Sequence, residues 1–566
     1  MRRAALLLPV LLLPLAALTP PSSAGTVAAT AVKAGDPVLL RDHLAGFDAL
    51  AAHTGPEQAD TTVEPSVAVN PANPLNAVIG FQVGRVDAGG DATNGYAVTF
   101  DGGKTWKNGV VPGLTSDHGG TFDRASDSVI AFGPDNTVYY SSLIFNDDTG
   151  NGLESAIVNN TSTDGGKTWG PLTVVQDDPG AGLNDKNWVV VDNGTEGGHH
   201  HGRVYVVWDR VAGVTAKYSD DRGATWVPAS PVYTPNIYLA QGISAFPVVK
   251  PNGDLFVAFM ADAAPPAVTT NPGDEIAEAA SGVSRVSSAT FIGAGTVPTG
   301  APLPAAVVAS VATYTGNSVR HQRAGSLLGA DCDPHTGRLY VVWEDGRYRT
   351  DAANDAVLSF SDDGLTWSAP VRLNKGPAGN SLDHYNPSVA VHKDGTVDVV
   401  WRQRQETPGG NVSDFSLDVD TYLARSHDHG VTFGTPLKVD LAPSDTRFGA
   451  FSRSGLFQGD YDQVATSGGL SYVVRSESYA PSTRAAAPDV PSATTLHHQT
   501  TWVAVIGTAT SSTRVVRPSV TPTVATPSSG GGSGLAATGG SGLLAAAALL
   551  ALTGGVALRR RLAPAG

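Results

Sequence analysis

Four segments of the chain, Thr99 to Trp106, Ser162 to Trp169, Ser219 to Trp226 and Ser426 to Phe433, repeat one template: Ser or Thr, any residue, Asp, any, Gly, any, Thr, aromatic. A fifth, Phe360 to Trp367, departs only where Phe360 replaces the hydroxyl, and puts Asp362 in the acidic position. The template glycines fall at 103, 166, 223, 364 and 430, at intervals of 63, 57, 141 and 66 residues. Such a period means one supersecondary unit that buries its apolar faces only by packing against its neighbours. The long interval is read as hiding one unit whose template has decayed. Chemically the template is a hairpin clip. The Asp accepts backbone amides across a tight turn, the Gly supplies a left-handed dihedral and the aromatic packs between strands. Asp101, Asp164, Asp221, Asp362 and Asp428 are therefore expected to be structural.

Around each clip lies a second pattern. Pro65 to Phe81 holds two β-branched runs with a Pro/Asn turn between them, and the unit recurs at Ser128 to Ser142, Trp188 to Trp208, Phe246 to Phe259, Leu327 to Trp343, Pro387 to Trp401 and Val464 to Val474. Composition agrees with many turns and few helices, since the 566 residues include 65 Gly and 38 Pro and only 16% are charged. The template resembles the Asp-box, or bacterial neuraminidase repeat, of sialidase-like β-propellers. That resemblance implies an all-β propeller of four-stranded antiparallel blades over residues 62–507, with the clips on the face away from the active-site mouth. Seven hairpins favour seven blades, although classical sialidases have six, which stays possible. Residues 25–61 are expected to supply a closing strand or lie against the rim.

The ends read as addresses. Arg2-Arg3, an apolar run from Ala4 to Leu18 and a small-residue site ending at Ala24 form a secretory signal over residues 1–24. Residues 508–534, rich in Ser, Thr, Pro and Gly, read as a stalk. In residues 535–566, Leu535-Ala536-Ala537-Thr538-Gly539 precedes an apolar stretch over 543–558 and Arg559-Arg560-Arg561. This resembles a sortase sorting signal of the kind found in high-GC Gram-positive bacteria. It implies cleavage between Thr538 and Gly539 by a sortase and transfer to a cell-wall peptidoglycan precursor, after the helix has held the chain transiently in the membrane. A plain membrane anchor is the alternative, and both put the protein outside the cell.

A formal net charge of −15 would repel phosphate backbones, so no nucleic-acid partner is expected. Cys332, the one cysteine, can close no intrachain disulfide and reads as a packed core residue. His199-His200-His201 reads as a polar turn, and no loop carries the spaced ligands of a calcium site, so no metal or cofactor is expected.

Against this acidic background, arginines recur where second strands should end and first strands begin: Arg85, Arg124, Arg210, Arg347, Arg402 and Arg475. Guanidinium forks at one mouth would suit a carboxylate-bearing sugar. Ion pairing between neighbouring blades is the competing reading. In sialidases a tyrosine nucleophile works with a glutamate and an aspartate acid/base beside an arginine triad. A turn at Ser467-Gly468-Gly469 places Tyr461 opposite Arg475 and near Glu477, so these positions are the candidates for that role, with Asp123, Asp185 and Asp460 as acid/base candidates. The Phe/Tyr-Arg-Ile-Pro motif that supplies the first triad arginine in sialidases is missing ahead of the first clip. Three functions compete: an exo-α-sialidase-like hydrolase, a non-catalytic propeller binding extracellular glycans or glycoproteins, and another glycosidase or polysaccharide lyase.

Overall fold

The computed structural model describes residues 33–46, 57–146, 154–181, 184–210, 213–233, 242–262, 284–291, 310–311, 322–323, 327–345, 348, 354–364, 366–374, 382–406, 415–452, 455–479 and 497–509. It is nearly all β, organised as antiparallel four-stranded units that follow one another along the chain. The first consists of Glu57–Val69, Ala77–Val86, Asp91–Thr99 and Lys107–Val110. First strands of the next five are Arg124–Phe132, Asn184–Val191, Gly242–Val249, Gly329–Cys332 and Leu382–Val391. The fourth of these units, beginning at Gly242, lies inside the long interval between clips. A seventh unit begins with Gln463–Ser467, Leu470–Ser478 and Gln499–Thr508, and takes its outer strand from Pro37–Gly46, which pairs antiparallel with Gln499–Thr508.

Apolar clusters lie between successive units, which explains why the strands read as near-continuous apolar runs rather than strict alternation. Along Val204–Arg210, for instance, Val204, Val206 and Trp208 join Val129, Ile157 and Val175 of the preceding unit. Tyr205 and Val207, on the opposite face, join Leu255, Val257 and Phe259 of the following one. Both faces are dry, so each interior valine contributes about 1.5–3 kcal/mol by burial. Ala77, Ile79 and Phe81 of the first unit likewise pack with Tyr472, Val474 and Val503 of the seventh. Cys332 belongs to one of these clusters, with Trp343 and Phe256, and burial pushes its thiol pKa up.

The template turns connect third and fourth strands. Ser219 Oγ and the Thr225 hydroxyl donate to Asp221 at 2.7 and 2.6 Å, the Thr225 amide adds a third bond at 2.8 Å, and Gly223 N donates back to Ser219 Oγ. These bonds, led by the Thr225 hydroxyl, hold the Asp221 carboxyl below its ordinary pKa. Asp101, Asp164 and Asp428 make the same set. The fifth turn corrects the sequence reading. There Ser361 Oγ and the Thr366 amide donate to Asp363, not Asp362, because this turn is one residue shorter between Asp and Thr. Asp362 instead pairs with Arg338 at 2.6 Å on the surface. Asp164→Ala or Asp221→Ala leaves the turn amides and hydroxyls unpaired and is expected to lower stability by about 1–3 kcal/mol, read from urea midpoints. A loss of ligand binding at unchanged stability would contradict this structural role.

Asp192 and His199 form another tie. His199 Nδ1 lies 2.6 Å from Asp192 and Nε2 lies 2.8 Å from the Pro251 carbonyl, so this histidine stitches the third unit to the fourth. Among the described residues no helix is long and apolar enough to cross a membrane and no acidic, His or Cys group is arranged to hold a metal. The signal segment, stalk and sorting segment, with Thr538 and Gly539, lie outside the described residues.

Candidate functional site

Five of the seven described first strands are interrupted near their beginning by a β-bulge, seen as a slip in register between Val63 and Ser66, Ser126 and Val129, Asn184 and Asn187, Ile243 and Phe246, and Tyr385 and Ser388. Four of the residues at these slips have left-handed backbones: Glu64 (φ 52°), Asp127 (φ 46°), Ser244 (φ 64°) and Asn386 (φ 49°). Non-glycine residues avoid that region, so something must hold them there. A chain of hydrogen bonds does. Ser128 Oγ donates to the Glu64 carbonyl and Asn187 Nδ2 to the Asp127 carbonyl. Amides of Ser244 and Ala245 donate to Asp209 at 2.6 and 3.2 Å, and Leu328 N donates to Ser244 Oγ. Asn386 N donates to Glu344 Oε1 at 2.9 Å and its Nδ2 donates to the Gly459 carbonyl at 2.9 Å. Asp460 N then donates to Glu64 Oε1 at 2.9 Å, returning to the first unit.

Inside this belt is a cavity of about 10 Å³, lined by Lys186, Trp188, Ser244, Phe246, Asn386 and Tyr461 among others. Its surroundings are acidic. Burial raises Asp209 and Glu344 to about 8 and lifts Asp127 well above the carboxylate range, the last reinforced by Glu64. Burial lowers the pKa of Lys186.

Tyr461 is brought to this cavity but not to its expected partners. Strand pairing in the seventh unit begins at Gln463 opposite Val474, so Tyr461 lies before the ladder and not opposite Arg475. Its ring packs edge-on to Trp188 at 5.7 Å, with Lys186 Nζ 4.0 Å from its centroid. Burial, then the nearby Glu64 and Asp127, raises its phenol well above the ordinary value, which works against a phenolate nucleophile. Glu477 is engaged elsewhere, by Arg475 and by the Tyr479 hydroxyl. No contact among the described residues joins it to Tyr461.

The described arginines of the set lie against protein carboxylates. Arg475 is fully buried, gripping Asp42 through Nη2 at 3.0 and 2.9 Å and Asp440 at 2.7 Å in addition to Glu477. Arg402, equally buried, binds Asp462 at 2.5 and 3.0 Å and the Ser476 carbonyl at 2.6 Å. Arg85 meets Asp91 at 3.2 Å beneath the Phe457 ring, and Arg124 lies 3.7 Å from Glu57. Arg210, partly exposed, forks onto Asp178 at 3.1 and 2.8 Å. Each guanidinium has a protein carboxylate nearby: Arg124, Arg210 and Arg402 join neighbouring units, Arg85 meets Asp91 of its own unit, and Arg475 ties Pro37–Gly46 into the seventh. Arg347 lies outside the described residues.

Of the candidate acids, Asp460 lines the cavity and Asp185 lies in the third bulge, where its carboxylate accepts from the Lys186 amide. Asp123 stands farther out, its amide bonded to Asn146. The sequence analysis missed Glu64, Asp127, Lys186, Asp209, Ser244, Glu344 and Asn386. A signal for several of them was present: a polar residue interrupts each β-branched run at the same offset, as in Glu64-Pro65-Ser66 and Asn386-Pro387-Ser388.

No protein-family model and no curated protein matches the chain. Solved structures do resemble it. A protein of unknown function from Dyadobacter fermentans is 14% identical over 84% of this chain and 99% of that one, with a TM-score of 0.41. A polysaccharide lyase, the PL25 ulvan lyase, is 11% identical over 74% of this chain and 92% of its own, with a TM-score of 0.43. The NanB sialidase from Streptococcus pneumoniae is 11% identical over 64% of this chain and 67% of its own, with a TM-score of 0.40. At these levels none of them assigns an activity here.

Proposed function

We propose that the chain is an exported, sialidase-like propeller of seven Asp-box blades, displayed on the cell wall, whose axial mouth recognises extracellular glycans or glycoproteins without the arginine triad of an exo-α-sialidase. Sevenfold closure is supported by the belt of hydrogen bonds that starts and returns at Glu64, and by Pro37–Gly46 completing the last unit. Export and sortase attachment to a peptidoglycan precursor rest on the two terminal segments read in the sequence. The observation that carries the recognition reading is the composition of the mouth. Carboxylates and amides hold the central positions, whereas the described arginines of the set are sequestered in ion pairs. Such a site exchanges hydrogen bonds with sugar hydroxyls, which both donate and accept.

A hydrolytic version at the same mouth has one observation in its favour. Asp127 is buried and protonates easily, as a general acid must. The deciding experiment incubates the purified protein with a fluorogenic sialoside and a panel of neutral and acidic glycans. The expected result is binding of neutral glycans with no release of the fluorophore from the sialoside. Turnover of the sialoside would overturn the proposal, and turnover confined to a neutral glycan would convert it into the hydrolytic version.

A further inference from the structure

Lys186 stands apart from the other groups of the belt. It lies in the bulge of Asn184–Val191, is only 7% exposed and lines the axial cavity. Its Nζ sits 4.1 Å from the Trp188 ring centroid and 4.0 Å from that of Tyr461. Among the described residues, no acceptor lies within hydrogen-bond or ion-pair distance of this ammonium. Glu64, Asp127, Asp209 and Asp460 act on it from farther away. An ammonium carries three donors, and a buried polar group with none of them used is costly unless something else meets it. Two aromatic faces offset part of that cost. Two more groups line the same cavity: Asn386 Oδ1, buried without a partner among the described residues, and the Tyr461 hydroxyl, which has Gln82 beside it.

We infer that Lys186 Nζ is a ligand-contacting donor at the floor of the mouth, and that the group it takes is a hydroxyl of an uncharged sugar. This rests on the glycan-recognition reading above. A hydroxyl both accepts and donates, so it can receive a hydrogen bond from Lys186 or Tyr461 while giving one to Asn386. A carboxylate cannot donate, so it would leave Asn386 Oδ1 unmet. An amide carbonyl accepts only and would leave Asn386 Oδ1 unmet. The volume of about 10 Å³ suits one oxygen-sized group.

The test titrates the full-length protein with neutral methyl glycosides, their monodeoxy analogues and N-acetylneuraminic acid. Affinity is followed by calorimetry and Lys186 by NMR of ε-carbon-labelled lysines. A neutral glycoside is expected to move the Lys186 signal. Lys186→Met should weaken its binding by about tenfold or more, the cost of a hydrogen bond to a charged donor. One monodeoxy analogue should lose a similar amount in the wild type and nothing further in Lys186→Met. Unchanged affinity in Lys186→Met overturns the inference while leaving glycan recognition standing, and so does preferential binding of the acidic sugar. Absence of any glycan binding by the wild type removes the recognition reading itself. Should Lys186→Met fail to fold, the wild-type signal decides: a Lys186 resonance unmoved at saturating glycoside overturns the assignment.

Discussion

Replacing Arg475 by methionine is expected to destabilise the protein by about 3–5 kcal/mol, the usual cost of removing one member of a buried ion-pair network. Arg475 is the common partner of Asp42, Asp440 and Glu477, all of them buried with it. Methionine keeps most of the volume and removes the charge, so these carboxyls are left facing one another. They are already crowded: burial raises Asp42 to about 6 even with Arg475 present, and burial lifts Glu477 as well. The consequence is also topological, because Asp42 belongs to Pro37–Gly46, the strand that completes the last unit from the opposite end of the chain. Unfolding should therefore begin by detachment of that strand. Urea unfolding, with protease cleavage near residue 46 as a local probe, checks both points. Asp42→Asn in the Arg475→Met background should recover part of the loss, since one of the unpaired charges is removed. A variant of unchanged stability that had lost affinity for an acidic sugar would restore Arg475 to the role of a ligand-binding residue.

Glu344→Gln is expected to stabilise the protein by roughly 3 kcal/mol at pH 7 and to change little near pH 4.5. The carboxyl of Glu344 is buried, accepts the Asn386 amide and is raised to about 8, chiefly by that burial. In the unfolded chain it ionises near 4.5. Between these values the unfolded state sheds a proton that the folded state keeps, so wild-type stability declines as pH rises from about 4.5 to 8. Glutamine mimics the protonated acid and still accepts the Asn386 amide through its carbonyl oxygen, but has no proton to lose. Urea midpoints at several pH values should show the variant's curve lacking this descent. Parallel curves for the two proteins would mean that Glu344 is ionised in the folded state, with a solvated or cation-paired carboxylate. Asp398 supplies the opposite trend elsewhere. Despite burial, its hydrogen bonds with Arg425 and His392 hold it far below the usual carboxylate range, so its contribution is lost as pH falls below about 4.

Local chemistry made much of the architecture legible before any coordinates. Template turns such as Ser219 to Trp226 hold their own bonds within a few residues, so sequence spacing suffices to place them. The Ser467-Gly468-Gly469 turn is similarly local: Ser467 pairs with Leu470 and both glycines have positive φ. Where the local count changed by one residue, at Asp362 and Asp363, the reading moved by one residue too.

The site was less legible because its groups come from several units. That Arg402 would meet Asp462, 60 residues away, and Arg475 meet Asp42, 433 residues away, follows from which strand ends neighbouring units bring together. No periodicity reports that, and an arginine at a strand end looks the same whether it awaits a substrate or is already neutralised. Tyr461 shows the register problem. Counting back from the turn assumed an unbroken ladder, whereas pairing begins at Gln463, and that difference turned its ring toward Trp188 and Lys186 instead of Glu477. The repeat, the β-rich composition and the clips were thus determined by the amino-acid sequence itself, because turn chemistry and apolar runs act over short distances along the chain. Tertiary packing alone decided which charges were neutralised and which polar groups were left facing the axis, because burial and pairing depend on neighbours that are distant in sequence and close only once the units pack.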